Sequence, residues 1–286
     1  MTSMPSARRL NRVVALAFVA LLVGAFAVPA QVGAVETMTV SSAELAMVNA
    51  LNADRTAVGL VPVRIDTRLM SIARARSADM VAKDYFSHTQ PDGRNVFAIL
   101  TAQHVTWYNA GEIIAWNMYA SLQDSVDGGN YQWMHSSGHK AIIVSTDFNY
   151  VGVGLAISST GKKVWTAVYI KGPDRTGARA TTALPTVTAG TTSATKRVSV
   201  NWSGSDVRLQ VLTSGFYSYQ VQRRTDGGAW TTVWSSTTLK SATFNLPVNH
   251  TYEFRVAARD KAGNWGAWST VTTSLAAPVG AVIINR

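Results

Sequence analysis

Apolar residues recur along this chain at two periods, helical in the first half and alternating in the second. Leu45, Val48 and Leu51 fall at near-helical spacing, and Gly59 ends the run. Ser41 followed by Glu44 fits a capping box, which places the start of the first helix at Ser41. A short extended piece containing Pro62 follows over 61–65. Asp66 or Thr67 then caps a second helix, with Leu69, Ile72, Ala73 and Met80 turned towards a core and an end near Asp84. Pro91-Asp92-Gly93 is a turn signal, and 96–100 reads as a short third helix. A fourth helix is expected over 122–136, interrupted at Gly128-Gly129 because glycine is a weak helix former. Residues 150–156 read as a strand whose glycines admit a close backbone or side chain. Lys163–Lys171 reads as its neighbour, with Val164, Thr166, Val168 and Ile170 alternating with Trp165, Ala167 and Tyr169. Both faces are apolar, so the sheet is covered on both sides. Helices first and strands last, without a βαβ rhythm, predict an α+β domain.

The pattern changes after Gly172. Residues 177–194 are rich in Thr, Ala and Gly and contain Pro185, the composition of a linker. Beyond it Val198, Val200 and Trp202 alternate, as do Tyr217, Tyr219 and Val221, and Tyr252, Phe254 and Val256. Asp226-Gly227-Gly228 is a hairpin turn between two such runs. Short strands at regular spacing predict an all-β sandwich. The expected limits are 38–172 for the α+β domain, 173–194 for the linker, 195–275 for the sandwich and 276–286 for a tail.

Composition narrows the setting. The 286 residues are 47% hydrophobic and 15% charged, enough for two packed cores. Arg8, Arg9 and Arg12 precede an unbroken apolar run over 13–28 and then small residues up to Ala34. This is the layout of a secretory signal peptide over 1–34, cleaved after Ala34, and the apolar run is too short for a confident membrane span. No later segment is long and apolar enough to span, so a secreted protein, extracellular or cell-wall associated, is expected, and as a monomer. The chain has no cysteine, which removes disulfides and thiolate chemistry. Net charge is +10, and loss of residues 1–34 leaves 23 basic against 16 acidic residues. No basic stripe or nucleic-acid motif accompanies that charge, so nucleic acid is not expected as a partner. Mild attraction to anionic surfaces such as cell-wall polymers is.

Candidate chemistry gathers in three short polar clusters between Tyr85 and Lys140, which hold three of the five histidines, His88, His135 and His139. Glu112 lies there in an otherwise apolar run, so it is either at a surface edge or buried with partners. Imidazole and carboxylate are the groups most used for metal ligation and proton transfer, which makes His88, Glu112 and His139 the candidate site. His135 reads as an exposed helix residue. Ser136 and Ser137 neighbour His139, but no nucleophile elbow supports a Ser–His hydrolase. Trp107, Tyr108, Trp116 and Tyr131 could line a sugar or lipid platform, although core packing is the commoner use of such residues.

Several ordered motifs resemble one family. They are Tyr85-Phe86-Ser87-His88 with Pro91-Asp92-Gly93, Ala110-Gly111-Glu112-Ile113-Ile114-Ala115, Trp133-Met134-x-Ser136-x-Gly138-His139-Lys140, and Val151-Gly152-Val153-Gly154. Together they resemble the CAP superfamily (cysteine-rich secretory, antigen 5 and pathogenesis-related proteins) in its cysteine-free bacterial form. The resemblance implies a three-layer α-β-α sandwich with a central cleft, which family members line with two histidines and two acidic residues able to hold a divalent metal. Carried over, it gives His88, Glu112 and His139 as ligands for zinc or magnesium. The second acidic position falls on Ser136, and the asparagine that follows the family's glutamate is replaced by Ile113. Residues 185–275 resemble a fibronectin type III domain, an immunoglobulin-like sandwich, through Trp202, through Leu246-Pro247 with Tyr252 as a tyrosine corner, and through the Arg259–Asn264 turn. The expected function is a secreted protein whose cleft, formed by His88, Glu112, His139 and Ser136, takes an extracellular lipid, glycan or peptide, a protein partner or a cell-wall polymer. The alternative is a metal-assisted extracellular peptidase or wall hydrolase using His88, Glu112 and His139.

Overall fold

The computed structural model describes residues 38–277. The expected signal peptide over 1–34 and most of the expected tail lie outside the described residues. The first domain comprises α1 (Val40–Ala57), β1 (Arg64–Ile65), α2 (Thr67–Ala82), α3 (Val96–Ala102), β2 (Asn109–Asn117), α4 (Leu122–Met134), α5 (Ser137–Ile143), β3 (Tyr150–Ile157) and β4 (Lys163–Lys171). Its strands form one sheet in the order β1-β3-β4-β2, parallel only between β1 and β3. One face packs Ile113, Val151, Val153, Trp165, Ala167 and Tyr169 against Met47 and Leu51 of α1 and Val126 and Trp133 of α4. The other packs Tyr150, Val168 and Ile170 against Leu69, Ile72 and Ala73 of α2 and Val96 and Leu100 of α3. The domain is thus three layers, with the sheet buried between helices.

Local chemistry accounts for the helix starts. Asp66 accepts from Arg68 N, Asn95 from Ala98 N and Ser121 from Asp124 N, each filling an otherwise unpaired amide at a helix start. α1 departs from expectation. Its cap is Thr39, which accepts from Ser42 N, and not Ser41. Glu44 does not turn back to close a capping box. It is fully buried, paired with Arg74 of α2 at 2.6 Å and accepting from Leu155 N at 3.1 Å. Leu45 is left exposed, and Ala43, Met47, Val48 and Leu51 form the inner stripe. α4 also corrects the sequence reading, because it runs through Gly128-Gly129 without a break. A Cβ at Gly128 would sit 2.2 Å from the Tyr119 ring, and one at Gly129 3.0 Å from Met47. Close packing outweighs the roughly 1 kcal/mol of helix propensity that each glycine forfeits.

The glycines of β3 set the spacing between sheet and helix. A Cβ at Gly152 would lie 2.1 Å from the Leu69 carbonyl carbon, and one at Gly154 2.1 Å from Arg74 N. The α2 backbone therefore rests directly on β3. Ser77 completes the contact, donating to Gly154 O at 3.0 Å.

The second domain comprises β5 (Arg179–Thr182), β6 (Thr186–Ala189), β7 (Thr195–Ser205), β8 (Phe216–Thr225), β9 (Thr231–Thr237), β10 (Ser241–Pro247), β11 (His250–Asp260) and β12 (Ser269–Leu275). One sheet runs β10-β7-β5, with β6 also on β7, and the other β12-β11-β8-β9. They share a core of Val198, Val200, Trp202 and Leu246 from the first and Tyr219, Val221, Phe254, Val256 and Val271 from the second. Tyr252 donates its hydroxyl to Pro247 O at 3.1 Å. The stretch expected as a linker over 173–194 is not free. It supplies β5 and β6, and Ala178 is buried in the sandwich core. Its β-branched residues Thr181, Thr182, Thr186, Val187 and Thr188 suit a pleated edge. The β7–β8 loop reaches back to the first domain. Leu209 is buried among Leu69, Ile72, Tyr150 and Val168, Gln210 accepts from Val61 N at 2.8 Å, and Val211 O accepts from Asn149 at 3.1 Å. Among the described residues no helix is long and apolar enough to cross a membrane.

Gly152→Ala or Gly154→Ala forces the α2 backbone off the sheet, since backbone cannot swing aside as a flexible side chain can. Each is expected to cost more than about 3 kcal/mol, the upper end of ordinary overpacking, read as a fall in the urea midpoint. Gly138→Ala, which meets nothing within 4 Å, should change the midpoint little.

Candidate functional site

The site begins with a charge on the inner face of a helix. Arg76 continues the α2 stripe of Leu69, Ile72 and Ala73 and is 1% exposed. A buried guanidinium needs acceptors for its donors and an opposite charge. β2 supplies both in Glu112, itself 7% exposed. Arg76 Nε donates to Glu112 Oε1 at 2.8 Å and Nη2 to Oε2 at 3.3 Å. Its other donors reach Tyr85 Oη at 2.8 Å and Ser87 O at 2.9 Å. Tyr85 donates its own hydroxyl to Asp79 at 2.7 Å, and Gln90 donates to the same carboxylate at 3.1 Å. Burial opposes the charge on Arg76, but the bonds to Glu112 outweigh it and hold the guanidinium above its usual pKa.

His88 sits on the loop that this network pins. Its Nδ1 lies 2.9 Å from Glu112 Oε2, and its side chain is 54% exposed. The carboxylate thus orients the ring, and Nε2 has no hydrogen-bond partner among the described residues. A cavity of about 250 Å³ opens beside it, lined by His88, Glu112 and Asn95 together with Val96, Phe97, Ala110, Gly111 and Ile142. His139, half-buried on α5, is held below the usual imidazole pKa, first by burial and then by repulsion from His88. His139 is not among the residues that line the cavity.

The other candidates separate. Ser136 is the first residue before α5, its side chain makes no capping bond, and it is not part of the cavity lining. His135 is exposed, stacked on Tyr131 at 3.8 Å and not part of the cavity lining. Trp107 packs against Phe97 at 5.9 Å. Tyr108, Trp116 and Tyr131 are exposed and none lines the cavity, while Trp116 borders a different depression with Met118, Tyr119 and Gln132.

The zinc or magnesium expected at His88, Glu112 and His139 does not fit this arrangement. Among the described residues, three candidate ligand atoms come within 4.8 Å of one another only at Asp174, Asp206 and Asp260. Both Glu112 oxygens are occupied by Arg76 and His88, and a guanidinium beside the carboxylate repels a second cation. The aspartate trio is used locally. Asp174 accepts from Thr176 N and Ser214 N, Asp206 from Val207 N and Gly215 N, and Asp260 from Asn264.

Residues 48–169, the α-β-α part of this chain, match the family model described as CAP, the cysteine-rich secretory protein family. The chain is 34% identical over 132 residues to the uncharacterized protein YkwD of Bacillus subtilis strain 168, covering 46% of this chain and 48% of that protein. It is 29% identical over 131 residues to the uncharacterized membrane protein YlbC of the same organism, covering 46% of this chain and 35% of that one. The chain thus spans about half or less of the length of the curated relatives it matches. An outer surface protein from Borrelia burgdorferi superposes with a TM-score of 0.41 at 16% identity, covering 46% of this chain and 95% of that chain.

Arg76→Leu should cost about 3–5 kcal/mol by leaving Glu112 buried without its cation, and Arg76→Leu/Glu112→Leu should recover most of that in urea denaturation. For His139, folding favours the neutral ring, so NMR should find it titrating below 6.5. The unfolded chain then takes up the proton first as pH falls. The associated stability is present above the unfolded pKa and declines as pH drops through it. His139→Gln should flatten that part of the stability profile between roughly pH 7 and pH 5.

Proposed function

We propose that the CAP domain is a ligand-binding module of a secreted bacterial protein, acting outside the cell without turnover. The observation that carries this reading is the occupied state of Glu112. With Arg76 and His88 bonded to its two oxygens, it is committed to neutralising the guanidinium and positioning His88. Above it lies a small cavity with an apolar wall of Val96, Phe97 and Ile142 and a polar end at His88 and Asn95. Such a site suits an amphiphilic ligand that buries one small apolar group and hydrogen-bonds through a polar end.

The second domain fits a fibronectin type III-like module. Three features support this, namely the two-sheet arrangement, Trp202 in the shared core and the Tyr252–Pro247 corner. Its exposed sheet is stiffened by Arg255 between Trp230 at 4.1 Å and Trp268 at 4.4 Å. Docked through Leu209, this module would hold the cleft at a fixed angle to a wall polymer or protein surface.

The test is an NMR-detected screen of short peptides, fatty acids and wall-derived oligosaccharides, following the His88 ring. A true ligand should bind saturably and lose about tenfold or more in affinity in Ile142→Trp, which fills the cavity. It should also be recovered chemically unchanged. A binder indifferent to both Ile142→Trp and His88→Ala would place the site elsewhere. Turnover abolished by Glu112→Gln would return the reading to catalysis.

A further inference from the structure

A second cavity, of about 520 Å³, lies where the connector leaves the first domain. It is lined by Arg64, Ile65, Asp66, Thr67, Arg68, Tyr150, Arg175 and Thr176. Three arginines and one aspartate therefore line it. Asp66 is shared by Arg68 at 2.9 Å and Arg175 at 3.0 Å. Arg175 also donates to Thr106 O at 3.0 Å and lies over the Tyr150 ring at 5.6 Å. Asp174, the next acid along the chain, is turned away to the amides of Thr176 and Ser214. Arg64 has no carboxylate within ion-pair distance among the described residues, and its Nε is screened from solvent without a hydrogen-bond acceptor. Arg64 is thus the arginine of the three whose charge is not neutralised by an ion pair among the described residues.

We propose that this cavity is an oxyanion site for a phosphate-type dianion. Planar guanidinium forks match phosphate oxygens two at a time. The excess of two positive charges equals the charge of a phosphate monoester near neutral pH. The hydroxyls of Thr67 and Thr176 add donors at the rim. The volume is that of a small-molecule site rather than a single ion, so there is room for an organic group on the phosphate. The site joins β1, the start of α2, β3 and the connector, so an occupant would tie Arg175 and the connector to the first domain and tighten the junction between the domains. It shares no lining residue with the His88 cavity, and the proposal stands apart from the reading of that cleft.

The experiment is calorimetric titration and thermal unfolding of the full chain with inorganic phosphate and with glycerol 3-phosphate, against chloride at matched ionic strength. Saturable one-site binding is expected, with a Tm that climbs with ligand concentration because only the folded state binds. Tighter binding of glycerol 3-phosphate would place an ester group in the cavity, and equal or weaker binding would assign the site to the free ion. Arg64→Gln should weaken binding by about tenfold or more, as for loss of one charged hydrogen-bonding group. The ligand-free Tm should not fall, because Arg64 has no carboxylate partner to lose. His88→Ala should leave phosphate binding unchanged. A response equal to that of chloride, or wild-type affinity in Arg64→Gln, overturns the proposal.

Discussion

The buried pair of Arg76 and Glu112 is the interaction on which the site depends. In the low-dielectric interior neither ion is tolerable alone, so each fixes the other. That requirement joins α2, which lies across the sheet, to the edge strand β2. The remaining donors of Arg76 go to Tyr85 and Ser87 and draw in the loop that carries His88. His88 then takes the outer oxygen of Glu112. The position of the histidine is thus a consequence of the charge neutralisation beside it.

This pair forms only because the helix sits low on the sheet. Gly152 and Gly154 let the α2 backbone touch β3, which brings the guanidinium of Arg76 within 2.8 Å of Glu112. A similar economy of space governs α4, where Gly128 lies under Tyr119 and Gly129 against Met47. On the opposite side of the sheet Arg55 is fully buried without a carboxylate partner among the described residues. Burial lowers its pKa, and its donors are met by the carbonyls of Ile143, Ser145 and Val61. The domain thus holds its buried cations in two ways, by an opposite charge at the cleft and by backbone carbonyls beneath α5.

The junction alters how the two domains work together. A Thr- and Gly-rich stretch suggests a slack tether, yet Leu209 is inserted into the core of the first domain and the stretch itself is woven into the sandwich. Whatever the sandwich contacts is held in fixed relation to both cavities of the first domain. Arg175, which leads out of the last strand of the first domain, is anchored by Asp66 and Thr106, so the exit of the chain is also an electrostatic contact.

By itself the sequence determined the elements whose signals are local. The cap at Asp66, the alternation in β4 and β11, the turn at Asp226-Gly227-Gly228 and the three-layer plan implied by the family motifs are all legible because neighbouring residues decide them. It also showed that His88 and Glu112 belong together, though not through what. The missing residue, Arg76, left a sign, since it stands on an apolar stripe and Glu112 stands in an apolar run. Two opposite charges at inward positions ask for one another, but they are 36 residues apart and only packing shows that they meet. Tertiary structure alone decided that Glu44 leaves its cap for Arg74, that α4 passes through two glycines and that the linker is strand. It also decided that Glu112 meets both Arg76 and His88 at the cleft. In each case a contact distant in sequence outweighs a local preference worth about 1 kcal/mol, and the local pattern carries no record of that contact.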